Sequence, residues 1–135
     1  LQRAHDTARA IQEHHADVPC TVTDDLREVS STHFLADGPA LSMDELESLQ
    51  SEKDAILRFI NRLRHSHNPG NRILIVSHGN IMRSLIPTLG GRDPKLSVLL
   101  DFNNTSLSII DLWASGHAVL RLSNCTKHLS RHQIT

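Results

Sequence analysis

The sequence predicts an α/β fold, helices flanking a mixed sheet, on three observations. Four consecutive apolar residues, Ile73 to Val76 within "RILIVS", pass through Ser77-His78-Gly79 straight into a new helical pattern. Two longer stretches, 1–16 and 42–64, repeat apolar residues at helical spacing. Near the end, "TSLSIIDLW" and "AVLRLSN" are joined by "ASGH" in the manner of a hairpin. Helices alternating with strands bury their apolar faces best in α/β layers.

Taken in order, residues 1–16 read as a helix already in progress: Ala4, Ala8 and Ile11 share one face, and no capping residue precedes Leu1. Asp17-Val18-Pro19 ends it, and "CTVT" at 20–23 is a short strand candidate. "DDLREVSSTHFLADGPA", 24–40, has turn residues and no period and reads as a loop. Ser42 with Glu45 three residues on forms a capping box, so a helix starts there. Leu46, Leu49, Ile56, Ile60 and Leu63 carry it to about Arg64, with a candidate break near Ser51. "NPGN" at 68–71 stops it. "RILIVS" then has the character of a strand buried on both faces of a parallel sheet. A helix over 79–89 follows, closed by Gly90-Gly91, and Gly116 sits in the turn of the hairpin. The tail from Lys127 on is polar and expected to fray.

The chain's 135 residues suffice for one domain with a single core. Hydrophobic residues at 39% and charged residues at 21% fit a globular protein; aromatics at 3%, with no tyrosine, require an aliphatic core. A net charge of −1 leaves no electrostatic footprint for nucleic acid or an anionic membrane. Any anion must be held by local groups. Cys20 and Cys125 are too far apart in sequence for a metal pair and read as ordinary thiols of a reducing compartment, which favours a cytoplasmic location. No apolar run approaches the ~20 residues of a membrane span. The start at Leu1 rather than Met points to a missing N-terminus. Sequons at Asn103, Asn104 and Asn124 are short chance patterns and carry no weight.

Three groups of residues could carry chemistry. His78 ends a buried strand, where open α/β sheets place their ligands, and the helix behind it aims free N–H groups and a positive dipole end at the same spot. Gly79 admits a ligand close to the backbone, and Asn80 adds a side-chain donor. Arg3 lies in the first turn of its helix with Thr7 one turn later, and a guanidinium fork suits phosphate. Glu28, between Leu26 and Val29, sits in a loop where partial desolvation would raise its pKa and fit it for general acid work. Each has a plainer reading: a strand-capping histidine, an exposed arginine and a solvated loop glutamate.

Together, in this order, the three resemble the histidine phosphatase superfamily, the phosphoglycerate mutase-like family. "LQRAHDTA" is similar to its leucine-x-arginine-alanine-x-x-threonine-alanine helix start, "LREV" to its leucine-x-glutamate loop, and "ILIVSHGNIMRSLI" to its second-histidine strand and helix. "NTSLSIIDLW…LRLSNCTKHL" resembles its closing hairpin and asparagine, histidine, leucine ending. The resemblance implies a three-layer α/β/α domain with a mostly parallel, mixed sheet over residues 1–128, followed by a polar tail at 129–135. It implies a phosphomonoester phosphatase working through a phosphohistidine, without metal or cofactor. Arg3 would clamp the phosphate, His78 would stabilise charge on the transferring group, and Glu28 would protonate the leaving oxygen. Gly79 and Asn80 would line the substrate site. The partner is a small phosphorylated substrate, with no nucleic acid or membrane involved.

The nucleophilic histidine of that family belongs to an Arg-His-Gly motif on a first strand, and no Arg-His-Gly occurs here. Arg64-His65 runs into Ser66 and Arg131-His132 into Gln133, while His5, His14 and His15 fall on a helix surface. The first strand and one phosphate-binding arginine are therefore expected to be missing, leaving a fragment that is inactive as it stands and marginally stable or prone to associate. The family's tryptophan-glutamate-glycine group after the glutamate loop is replaced by "VSSTHFLADG". Few basic residues lie near 29–44, which favours phosphatase over mutase. Two other readings remain open: an inactive truncated relative that binds phosphate or a partner, and an unrelated α/β enzyme with His78 as general base.

Overall fold

The computed structural model describes residues 2–29, 42–92, 96 and 99–135. Residues 30–41, most of the expected loop, lie outside the described residues. Helix α1 spans Gln2–Gln12, α2 Met43–Ser66 and α3 Gly79–Leu89; strands β1 Leu107–Leu112 and β2 Ala118–Cys125 form an antiparallel pair. Short 3-10 turns cover Asp24–Leu26 and Arg131–Gln133.

The capping box at Ser42 is present in full: its hydroxyl accepts from the Glu45 N–H, and the Glu45 carboxylate accepts from the Ser42 N–H at 2.7 Å. The helix it starts continues unbroken through Ser51 to Ser66, two residues beyond the expected end. Ser42→Ala is expected to cost about 1 kcal/mol, read as a lower midpoint in urea unfolding.

The core is aliphatic, as the composition requires. Ile56 and Ile60 of α2, one turn apart, meet Ile81, Leu85 and Leu89 of α3, each four residues from the next. Leu26 and Val29 from the segment before residue 30 complete the cluster, and Ile110 and Leu112 of β1 pack at its margin. The core therefore seats α3, whose first residue follows His78.

Helix α1 is shorter than expected. Beyond Gln12 the chain tightens into i→i−3 bonds, His14 N–H to Ile11 O and His15 N–H to Gln12 O, and the Gln12 side chain donates to the Val18 carbonyl. The helix buries no residue completely. Ala4 and Ala8 offer too little apolar surface to seat it deeply.

Neither expected single strand joins a ladder. Residues 20–23 and 71–78 lie outside any helix or strand, and β1–β2 is the sheet formed among the described residues. The α/β class holds, and the described residues assemble a two-stranded antiparallel sheet rather than a mostly parallel one in three layers. A β-branched run forms a strand only beside a second strand, and 72–77 has none among the described residues: Ile73 and Leu74 are 43% and 59% exposed.

In the hairpin, Gly116 takes φ +84°, which favours glycine, and Trp113 closes the turn by donating to and accepting from residues 117 and 116. The pairs Leu107–Cys125, Ile109–Leu122 and Ile110–Leu120 show that β2 carries one extra residue in each interval, two bulges in all. Asn124, inside the first, has φ 48°. The C-terminal tail is not frayed. Ser130 and Gln133 cap its last turn, and Thr135 folds back on Asn104.

Candidate active site

His78 is the residue before the first turn of α3, and its ring makes no capping bond. The first helical hydrogen bond at this end runs from the Met82 N–H to the His78 carbonyl. Among the described residues, no acceptor takes the N–H groups of Gly79, Asn80 and Ile81. Three free donors and the positive dipole end therefore converge beside the ring, an arrangement that attracts an anion.

Two hydrogen bonds staple the 24–29 segment to this helix start. The Ser77 hydroxyl donates to the Leu26 carbonyl at 2.8 Å, and the Asn80 amide donates to the Val29 carbonyl at 3.2 Å. Glu28 lies between the stapled carbonyls, and its Oε2 stands 3.5 Å from His78 Nδ1. The other carboxylate oxygen accepts from the Val29 N–H at 3.3 Å. The His78 side chain is 7% exposed and the Glu28 side chain 37%, so the glutamate keeps a face open to solvent or ligand.

The segment is anchored on its other side to α2. Asp25, 13% exposed at its side chain, pairs with Arg62 and with Arg58 at 3.4 Å, and Arg62 also donates to the Thr23 hydroxyl at 2.9 Å. The carboxylate that faces His78 thus hangs between two fixed points.

A cleft of about 230 Å³ opens beside Glu28, but its wall carries Asp24, Asp25, Glu28 and Glu52 with Arg27 as the opposing cation. The arginines around this wall are already engaged, Arg27 with Asp24 and Arg58 and Arg62 with Asp25. A second cavity of about 280 Å³, between the end of α3 and the hairpin, is lined by Ile86, Pro87, Ile110 and Leu120 and offers Arg92 as its charged group. The anion-attracting position is the first turn of α3 itself. Against it lies Phe102: a Cβ placed on Gly79 would come 3.8 Å from the Phe102 carbonyl oxygen, ordinary contact. The protein alone does not demand glycine there.

Of the residues singled out in the sequence, the structure brings together His78, Gly79, Asn80 and Glu28. The Asn80 amide has a structural partner, Val29, that sequence reasoning missed, as it missed the Ser77 staple. Arg3 is not brought to them. It is exposed, no hydrogen bond or ion pair joins its guanidinium to a described residue, and Thr7 donates to its carbonyl at 3.0 Å. Among the described residues no group of three histidine, cysteine or carboxylate side chains is placed to hold a metal ion, and no helix is long and apolar enough to cross a membrane.

An α/β chain that sets a histidine and a carboxylate over a helix N-terminus is equipped to handle an anion. The model of the histidine phosphatase superfamily (branch 1) matches residues 30–125, and the chain belongs to that family. His78, Gly79 and Asn80 fall inside the match; Arg3 and Glu28 precede it. No curated protein matches the chain.

Proposed function

We propose that the chain is the greater part of a phosphomonoester phosphatase domain, residues 1–128, that works through a phosphohistidine, with the nucleophile lying outside these 135 residues. The observation that carries this is the His78–Glu28 pair, 3.5 Å apart, beside three free N–H groups in a histidine phosphatase. Phosphoryl transfer needs positioning and charge neutralisation more than covalent chemistry from the protein. His78 and the first turn of α3 neutralise the equatorial oxygens of the transferring group. Gly79 lets them reach the backbone and Glu28 gives a proton to the leaving oxygen, while Arg3, which stands exposed and apart from them here, clamps them only once the fold is complete. The substrate is a small phosphorylated molecule.

In the complete three-layer fold, 72–77 is a strand of the mostly parallel sheet, with the nucleophile's strand as its neighbour. The exposed Ile73 and Leu74 support that reading. The lack of Arg-His-Gly in the sequence also fits a phosphate-binding module without turnover. One experiment separates the two. The reading frame upstream of Leu1 is determined, and p-nitrophenyl phosphate hydrolysis is measured with and without it. An upstream strand ending in Arg-His-Gly that confers turnover supports the phosphatase. A stop codon directly before Leu1, with phosphate bound but not released from an ester, supports the module.

A further inference from the structure

Residues 101–105 cross the N-terminal end of α3, and they are held there from two sides. On the helix side, Arg83 donates to the Asp101 carboxylate and holds its pKa below the usual range, chiefly through that hydrogen bond. Phe102 then lies against Gly79, its carbonyl oxygen 3.8 Å and its Cβ 3.9 Å from where a Gly79 Cβ would stand.

On the far side, three residues of the C-terminal segment grip the next three in turn. The Asn124 side-chain oxygen accepts from the Asn103 N–H at 2.7 Å. Thr135 takes both donors of Asn104, its carbonyl accepting the backbone N–H at 3.1 Å and its hydroxyl the side-chain amide at 2.7 Å. The His128 Nε2 meets the Thr105 carbonyl at 3.1 Å, and Thr105 itself has φ 57°.

Asn124 is built for this contact. It occupies the β2 bulge at φ 48°, where asparagine is among the few side-chain-bearing residues at ease, and its own N–H donates to the Ser108 hydroxyl at 3.1 Å. The bulge turns its amide away from the ladder and toward Asn103.

We infer that Asn124, with His128 and Thr135 behind it, is a positioning residue for the phosphate site: the C-terminal segment fixes the Phe102 wall against Gly79. This rests on the anion site at α3 proposed above. The wall decides how closely an oxyanion approaches the Gly79 and Asn80 N–H groups, so binding depends on a hydrogen bond made by a residue that touches no substrate.

The test uses inorganic phosphate and the amide NMR signals of Gly79 and Asn80, in the protein extended by the upstream strand. Asn124→Gly accepts φ 48° without strain and removes only the acceptor; Asn124→Asp keeps an acceptor at the same place. Expected are a loss of Phe102–Gly79 proximity signals and a weakening of phosphate binding by about fivefold or more in Asn124→Gly, the size one lost hydrogen bond gives. Asn124→Asp, at 0.15 M-scale salt to limit repulsion, restores both. His128→Ala, an exposed position, weakens binding in the same direction by less. Unchanged phosphate affinity in Asn124→Gly overturns the positioning role while leaving the site standing. No phosphate-dependent shift at Gly79 in the unaltered chain overturns the site itself, and the positioning role with it.

Discussion

In a protein that includes the family's Arg-His-Gly strand, His78→Ala lowers phosphomonoester turnover by ~10²-fold or more. The imidazole sits almost fully buried at the head of α3, and its loss removes the side-chain donor that stands beside the backbone N–H groups there. Glu28→Gln gives a companion result that separates the two roles. A general acid contributes ~10²–10⁴-fold, but only where the leaving oxygen needs a proton. Glu28→Gln should therefore slow an alkyl phosphate far more than p-nitrophenyl phosphate, whereas His78→Ala slows both alike. Steady-state rates on the two esters check this. Near-normal turnover in His78→Ala would remove the histidine from the chemistry.

Leu85→Ala has the largest expected effect on stability. The side chain is 1% exposed, in the middle of the α3 face that meets α2, and truncating such a residue costs about 2–5 kcal/mol. Typical domains hold about 5–15 kcal/mol in total, so this one change removes a large fraction. Urea unfolding followed by circular dichroism measures it. Leu57→Ala, one residue past Ile56 but 49% exposed, serves as the contrast and should move stability by no more than about 0.5 kcal/mol. Equal losses at the two positions would mean that the helices do not pack through the faces described.

What the sequence made legible was what is decided locally. The Ser42–Glu45 box, the "NPGN" stop, the Gly90-Gly91 end and the Gly116 turn each act within a few residues, and α2, α3 and the hairpin stand where those signals put them. Pairing is another matter. The run 72–77 has every quality of a strand except a neighbour among the described residues, and no property of Ile73 or Leu74 can supply one. The tail departs from expectation for a related reason: a polar composition suits fraying, but Thr135 finds Asn104 from 31 residues away. At the site, His78 was legible from its place before a helix, and Glu28 more faintly from its loop position between Leu26 and Val29, a signal the family likeness strengthened. Nothing in the spacing of Ser77 or Asn80 announces that they reach back to Leu26 and Val29.

Those two staples have a kinetic consequence. Each joins residues 51 apart in the chain, so the histidine and the glutamate meet only after a long loop has closed. Closure of that length carries an entropic toll of about 3–4 kcal/mol before either staple repays any of it. Helices α2 and α3 are made of near neighbours and can form first; contacts of high sequence separation come late. The pairing of His78 with Glu28 is therefore expected among the last contacts to form as the chain folds, and among the first lost when the 24–29 segment lets go.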